Sequence, residues 1–224
     1  MTRHHPDTLL LTDFAAGSLP FGQSLCVAVH QESCQQCKDQ IDRLNQLGAN
    51  LMAKMEPAPV GDDLLDSILA RLDEAEPAAD TAPRRAAAPG VPQPLAKLIP
   101  GGFDALDWKR LTSSLHSVTL PVGDDGNQVS LIRMRAGGEI GKHYHAGNEL
   151  TVVLRGGFSD RSGVYDAGDF VALGVDDMHR PVAHQNEDCI CLAAQDGPIR
   201  FPGLKGMLLN RFIGIQAGSQ AVFQ

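Results

Sequence analysis

Apolar positions recur at helical spacing over the first third of the chain and at strand spacing over the rest. Leu10, Leu11, Phe14 and Ala15 share one face of a segment from Asp7 to Leu19, which predicts a short helix closing near Gly17. Phe21 to His30 predicts a second helix. Gln35 to Met55 predicts a longer third, with Ile41, Leu44, Leu47, Leu51 and Met55 on its apolar face. Gly48 inside it costs about 1 kcal/mol relative to alanine. A fourth segment, Asp62 to Glu76, carries Leu64, Leu65, Ile68, Leu69 and Leu72 on one stripe and Asp62, Asp63, Asp66, Asp73 and Glu74 opposite. Such a helix either docks on its own domain or offers its stripe to a groove on a partner. Pro57 and Pro59 stand before it, so it can extend away from the other three.

From Glu76 to Pro94 the periodicity disappears into a stretch rich in proline and alanine, which reads as a semi-extended tether. Beyond it, short runs rich in Val, Leu and Ile alternate with Gly and Asp turns: Val129–Arg135, Leu150–Leu154, Phe170–Leu173 and Cys189–Ala193. Regular short strands of this kind predict an all-β sandwich or barrel. The expected organisation is a multidomain α plus β chain: a small helical domain over residues 1–76, a linker over 77–94 and a β domain over 95–224. Three short helices give a small core, and a metal staple is a common remedy at that size.

Composition narrows the function classes. The 224 residues carry a formal charge of −8 without a strong basic patch, which argues against direct nucleic-acid binding and suits a basic partner. The five cysteines are odd in number and suggest no disulfide framework, so a reducing compartment is expected. No apolar run approaches the length of a membrane span and no secretory h-region opens the chain, which reads as cytoplasmic.

The densest chemistry is His30-Gln-Glu-Ser-Cys34-Gln-Gln-Cys37. Two cysteines separated by two residues can bring both sulfurs to one ion, and zinc favours a mixed thiolate and imidazole shell. On one straight helix the α-carbons of residues 30 and 37 would lie about 10 Å apart, so a helix break between them helps. Ser33 and Gln36 have capping-box spacing, which predicts a new helix starting just before Cys34. A structural site needs a fourth ligand, and His4-His5 is the nearest supply. The competing reading of Cys-x2-Cys is redox chemistry, which the lack of a strand-then-helix pattern disfavours. Cys26 lies in the apolar run Leu25–Val29 and reads as a small buried hydrophobe.

A second ligand set lies in the β segment. His143 and His145 alternate, so both imidazoles leave a strand on one face, and Glu149 follows at the start of the next strand. His179 ends a stretch that begins at Gly168-Asp169. Three His and one Glu can hold zinc, manganese or iron. Cys189 and Cys191 sit two apart on a strand and point to the same face. They are candidate oxidation targets or buried packing residues.

These spacings carry a resemblance. Gly137-x5-His143-x-His145-x3-Glu149-x6-Gly156 is similar to the first cupin motif, and Gly168-x10-His179 to the frame of the second, although Gly174, Asp176 and Ala183 depart from its usual turn residues. Cupins are double-stranded β-helix (jelly-roll) barrels with a metal held in the mouth. The combination of a helical His-x3-Cys-x2-Cys segment, a preceding Arg3-His4-His5, Ala15-Ala-Gly17, a tether, a cupin and a late Asp188-Cys-Ile-Cys-Leu-Ala193 resembles the ChrR-type zinc anti-sigma factors over nearly the whole chain.

The resemblance implies a structural zinc on His5, His30, Cys34 and Cys37, and a second zinc, or another divalent metal, on His143, His145, Glu149 and His179. It also implies a one-to-one complex with an extracytoplasmic-function sigma factor, gripped by the stripe of residues 62–76 and released under oxidative stress of the singlet-oxygen kind. The rival expectation is a metal-dependent, dioxygenase-like cupin enzyme with a helical appendage, because fold alone does not fix function.

Overall fold

The computed structural model of the chain describes residues 2–72, 87–122, 128–175 and 177–203. Asp73 and Glu74 of the acidic face, residues 77–86 of the proline- and alanine-rich stretch, Asp176, and the last part of the β segment lie outside the described residues.

Four helices open the chain: α1 (Thr8–Ala15), α2 (Phe21–Ser33), α3 (Gln35–Met52) and α4 (Leu64–Leu72). Asp7 caps α1 by accepting from the Leu10 amide at 2.8 Å. The break between α2 and α3 falls at Cys34, which is extended at φ −121° and ψ 98°. Here the capping-box expectation is corrected. Ser33 ends α2, with its hydroxyl donating back to the His30 carbonyl at 3.0 Å. Cys34 is the N-cap of α3, its sulfur accepting from the Cys37 amide at 3.5 Å.

Among the described residues eleven strands follow: β1 (Lys109–Arg110), β2 (Leu115–Thr119), β3 (Gln128–Met134), β4 (Tyr144–His145), β5 (Glu149–Arg155), β6 (Gly157–Ser159), β7 (Val164–Asp166), β8 (Phe170–Leu173), β9 (Val182–Ala183), β10 (Cys189–Gln195) and β11 (Ile199–Arg200). They form a six-stranded sheet in the order β1-β2-β3-β10-β5-β8, a three-stranded sheet β7-β6-β9 and the pair β11-β4, all antiparallel. This is the cupin-like β architecture that the spacing predicts.

Side-chain parity divides the large sheet into two faces. Val129, Leu131, Leu150, Val152, Ile190, Leu192 and Ala194 belong to one apolar cluster together with Leu25, Cys26, Val27 and Val29 of α2. Met134, Val153, Cys189 and Cys191 belong to another, inside the barrel, with Phe158, Tyr165 and Val171. The sheet is therefore covered on both sides, and α2 is the outer cover. Cys26 presses directly on it: fully buried, its thiol donates to the Leu150 carbonyl at 3.6 Å, and burial pushes its pKa well up.

The helical core is thus closed by the barrel. The stretch before the barrel joins this contact from Val91 onward. Val91 and Leu95 are buried, Gln93–Leu95 forms one 3-10 turn, and the Gln93 amide donates to the Glu32 carboxylate at 3.0 Å.

Candidate metal centres

The structure brings His5, His30, Cys34 and Cys37 together from three places. His5 comes from the extended segment before α1, His30 from the last turn of α2, and the cysteines from the cap and first turn of α3. One ligand atom from each lies within 4.8 Å of all the others. His5 Nδ1 stands 3.3 Å from Cys34 Sγ and 3.6 Å from Cys37 Sγ, and His30 Nε2 stands 3.3 Å from Cys37 Sγ. A tetrahedral zinc with sulfur and nitrogen ligands has edges of roughly 3.3–3.8 Å, so these separations fit one ion.

The donor chemistry fits as well. His30 Nδ1 donates to the Gly168 carbonyl at 2.8 Å, which leaves Nε2 with its lone pair towards Cys37. Burial lowers the His30 pKa and keeps the ring neutral. Burial and the neighbouring Cys34 push the Cys37 thiol up to about 12, so without a cation the sulfur stays protonated. A bound cation would reverse that preference. His4, the other candidate of the pair, points elsewhere: its ring lies 4.6 Å from that of Tyr165 and its Nε2 is 3.2 Å from the Val164 carbonyl.

The second cluster lies in the barrel interior. His143 and His179 face each other across an isolated antiparallel bridge, with Nε2 atoms 2.9 Å apart. His145 Nε2 is 3.4 Å from His179 Nε2 and 3.0 Å from Glu149 Oε2. The three imidazoles form one group with all ligand atoms within 4.8 Å, and Glu149 adjoins it through His145.

Neighbouring groups orient these side chains. His143 Nδ1 donates to the Gly141 carbonyl at 2.8 Å, which frees Nε2. Thr151 donates to Glu149 Oε1 at 2.8 Å, and the Gln195 amide donates to Glu149 Oε2 while lying 3.3 Å from His145 Nδ1. Asp160 stands 3.5 Å from His179 Nδ1. Burial drives the His143 pKa down to about 4, against the hydrogen bond to Gly141, with the other two histidines adding to the fall. Burial also lowers that of His179. Buried, convergent imidazoles beside a carboxylate suit a divalent metal.

Cys191 lines a cavity of about 40 Å³ beside His143, Glu149 and His179. The Cys189 and Cys191 sulfurs are 3.6 Å apart and both are buried. The hydrogen bond to Cys189, together with burial, raises the Cys191 pKa well above that of a free thiol.

Sequence reasoning missed the supporting groups. Gly141, Thr151, Asp160 and Gln195 around the barrel ligands carry no spacing signal, although Thr151 and Gln195 could have been found as polar residues on the inward parity of β5 and β10.

Helix α4 differs from the rest. None of its side chains is buried, and Leu64, Leu65, Ile68, Leu69 and Leu72 are 43, 65, 49, 50 and 72 % exposed. Leu47, Leu51 and Met52 at the end of α3, with Met55 beyond it, are also exposed. No described helix is long and apolar enough to cross a membrane.

Three comparisons bear on this arrangement. Residues 100–199 match the ChrR cupin-like domain family. The chain is 36 % identical over 214 residues to the anti-sigma-E factor ChrR of Cereibacter sphaeroides, covering 95 % of this chain and 99 % of that protein. Its fold is similar to the crystal structure of Rhodobacter sphaeroides SigE in complex with the anti-sigma ChrR, with TM-score 0.77 and 33 % identity over 88 % of this chain and 100 % of that one.

Proposed function

The chain belongs to the family of the anti-sigma-E factor ChrR, and we propose that it sequesters an extracytoplasmic-function sigma factor in a one-to-one cytoplasmic complex and releases it under oxidative stress. That family's named member is a regulator and not an enzyme, which sets aside the dioxygenase-like reading. The observation that carries the proposal is the uncovered stripe of α4. Five large apolar side chains in line on one short helix are left exposed by the described residues. Covering each one contributes on the order of 2 kcal/mol, so the stripe is the natural insert for a groove between sigma-factor domains. Asp62, Asp63 and Asp66 beside it suit the basic surfaces of such a partner.

In this reading His5, His30, Cys34 and Cys37 hold a structural zinc, because all four positions are filled by protein and none is left for water. His143, His145, Glu149 and His179 hold a second metal whose shell can admit a further ligand. In this reading the barrel carries the sensing function. Cys189 and Cys191 lie buried side by side, and the hydrogen bond to Cys189 together with burial holds the Cys191 thiol protonated, so in this reading an oxidant reaches them only when the barrel opens.

The test is co-expression of the full chain with the sigma factor encoded beside it, followed by light scattering and metal counting. A one-to-one complex that is lost when Ile68 and Leu69 are both replaced by aspartate supports the proposal. An unaltered complex with that double variant refutes the α4 contact, and no complex with the unmodified chain refutes the function.

A further inference from the structure

Two of the four helical ligands are held from outside the helices. Asp169, at the turn between β7 and β8, is 1 % exposed and spends its carboxylate on three backbone amides. Oδ1 accepts from Arg3 at 2.6 Å and from His4 at 3.1 Å, and Oδ2 accepts from Asp166 at 2.9 Å. The next amide, that of Phe170, donates to the His4 carbonyl at 3.0 Å. The residue just before ligand His5 is therefore pinned through both its N–H and its carbonyl. On the other side of the same turn, the Gly168 carbonyl accepts from ligand His30.

The approach is too close for a side chain. Gly168 has φ +95°, and a Cβ there would meet Thr2 Cγ2 at 2.7 Å and Ser33 Oγ at 2.8 Å. Thr2 and Ser33 lead into His5 and Cys34. One turn of the barrel thus touches both chain segments that deliver ligands to the helical cluster. Burial raises the Asp169 pKa, yet the amide donors outweigh it and hold the carboxyl below its usual range. The Arg3–Asp166 ion pair beside it is exposed on both sides.

We propose that the Gly168–Asp169 turn is a clasp for the helical metal centre, with Asp169 as the positioning residue that fixes His5 and the Gly168 carbonyl fixing His30. This rests on the reading of His5, His30, Cys34 and Cys37 as a metal site. His5 stands in the segment before the first helix, outside any helix or strand, and the bonds of Arg3 and His4 to this turn hold that segment in place. With the clasp, the imidazole waits at the coordination point. Without it, His5 leaves and returns on a loose segment, and the ion escapes through the open position. Partners outside the ligand shell typically change metal affinity 10- to 100-fold.

The experiment uses the full chain loaded with Co²⁺. The proposed barrel ligands are nitrogen and oxygen donors, and a Cys191→Ala background removes the thiol that lines their cavity, so a thiolate-to-cobalt charge-transfer band then reports the Cys34–Cys37 site. Decay of that band in excess EDTA reports ion loss from the helical site. Asp169→Ala is expected to speed the decay roughly tenfold or more, the range seen for such partners. Asp169→Asn keeps one oxygen for Arg3 and His4 and should speed it less. Arg3→Ala keeps its amide and should leave the rate unchanged.

Gly168→Ala inserts a Cβ between Thr2 and Ser33 and should speed the decay while leaving the Asp169 carboxylate in place. It decides the question if Asp169→Ala loses the barrel's own cobalt bands. Rates within about twofold of the unmodified chain for the folded variants would overturn the clasp. A charge-transfer band absent from the unmodified chain would instead overturn the metal reading, and the clasp with it.

Discussion

Replacing Ile68 and Leu69 by alanine separates partner binding from folding, because among the described residues neither side chain is buried in the free chain. Both residues are about half exposed, at 49 and 50 %. Half of a leucine or isoleucine residue is roughly 90 Å² of mostly apolar surface, which at about 25 cal/mol per Å² contributes on the order of 2 kcal/mol when covered. Alanine retains part of that area, so each substitution should cost about 1.5 kcal/mol, or about tenfold in Kd, and the pair about 100-fold. Folding of the free chain should not suffer, since alanine is the better helix former and no buried contact of α4 is lost. The assay is titration of labelled sigma factor by anisotropy, with thermal unfolding of the free chain in parallel. The reasoning is refuted if Kd moves by less than about threefold, or if the free chain loses several degrees of Tm. Leu25→Ala in α2 should behave in the opposite way. That side chain is 5 % exposed under the barrel sheet, and its truncation should cost about 2–5 kcal/mol of folding stability.

Other expected outcomes follow from the two clusters. Replacing Cys34 and Cys37 by serine should lower the bound metal by one ion per chain and abolish sigma binding, read by atomic absorption and co-purification; retained inhibition without that ion refutes the structural role. In the metal-free chain, the folded His143 pKa of about 4 lies below the unfolded value of about 6.5. The stability linked to neutral His143 is therefore complete above pH 6.5 and is lost as pH falls towards 4. The loss is about 3 kcal/mol at most, with His30 and His179 acting in the same sense. Urea midpoints from pH 7.5 to 4 should show this fall, His143→Gln should flatten it, and a flat profile in the unmodified metal-free chain refutes it. Replacing Cys189 and Cys191 by alanine should block oxidant-triggered release of the sigma factor in a reporter strain, and unchanged induction refutes the thiol role.

Much of the fold is legible in the sequence because the signals are local. The stripes of α1, α3 and α4 follow helical spacing, and the strand cores at Leu150–Leu154 and Cys189–Ala193 fall inside β5 and β10. The ligand residues are legible for the same reason, since His-x3-Cys-x2-Cys and His-x-His-x3-Glu are short-range patterns. α3 starts at Gln35 as its spacing predicts, but its cap is Cys34 in an extended conformation and not the Ser33 of the capping-box pattern. The cover of the sheet by α2 left a trace. Leu25-Cys26-Val27 is apolar around the helix, and Cys189–Ala194 is apolar on both strand parities, as expected for elements buried on two sides. The Gly168–Asp169 turn shows in the sequence only as a motif position and its role as a joint does not, because the segments it holds, at Arg3, His4 and His30, lie 138 to 166 residues away.

The distribution of burial explains why the helical part depends on what surrounds it. In α1 only Leu11 is buried, and in α3 only Cys37 and Ile41. Two of the residues that close this small core, Cys34 and Cys37, are themselves candidate ligands. Three such helices cannot offset their own chain entropy by apolar burial alone. The β-sheet beneath α2 supplies part of what is missing, an ion at the cysteines would supply more, and the Gly168–Asp169 turn touches both places. Loosening either support should therefore weaken the platform that carries α3 and α4, without any change in the residues that touch the partner. For a regulator that releases its partner, such an arrangement lets one distant event weaken the grip at several contacts together.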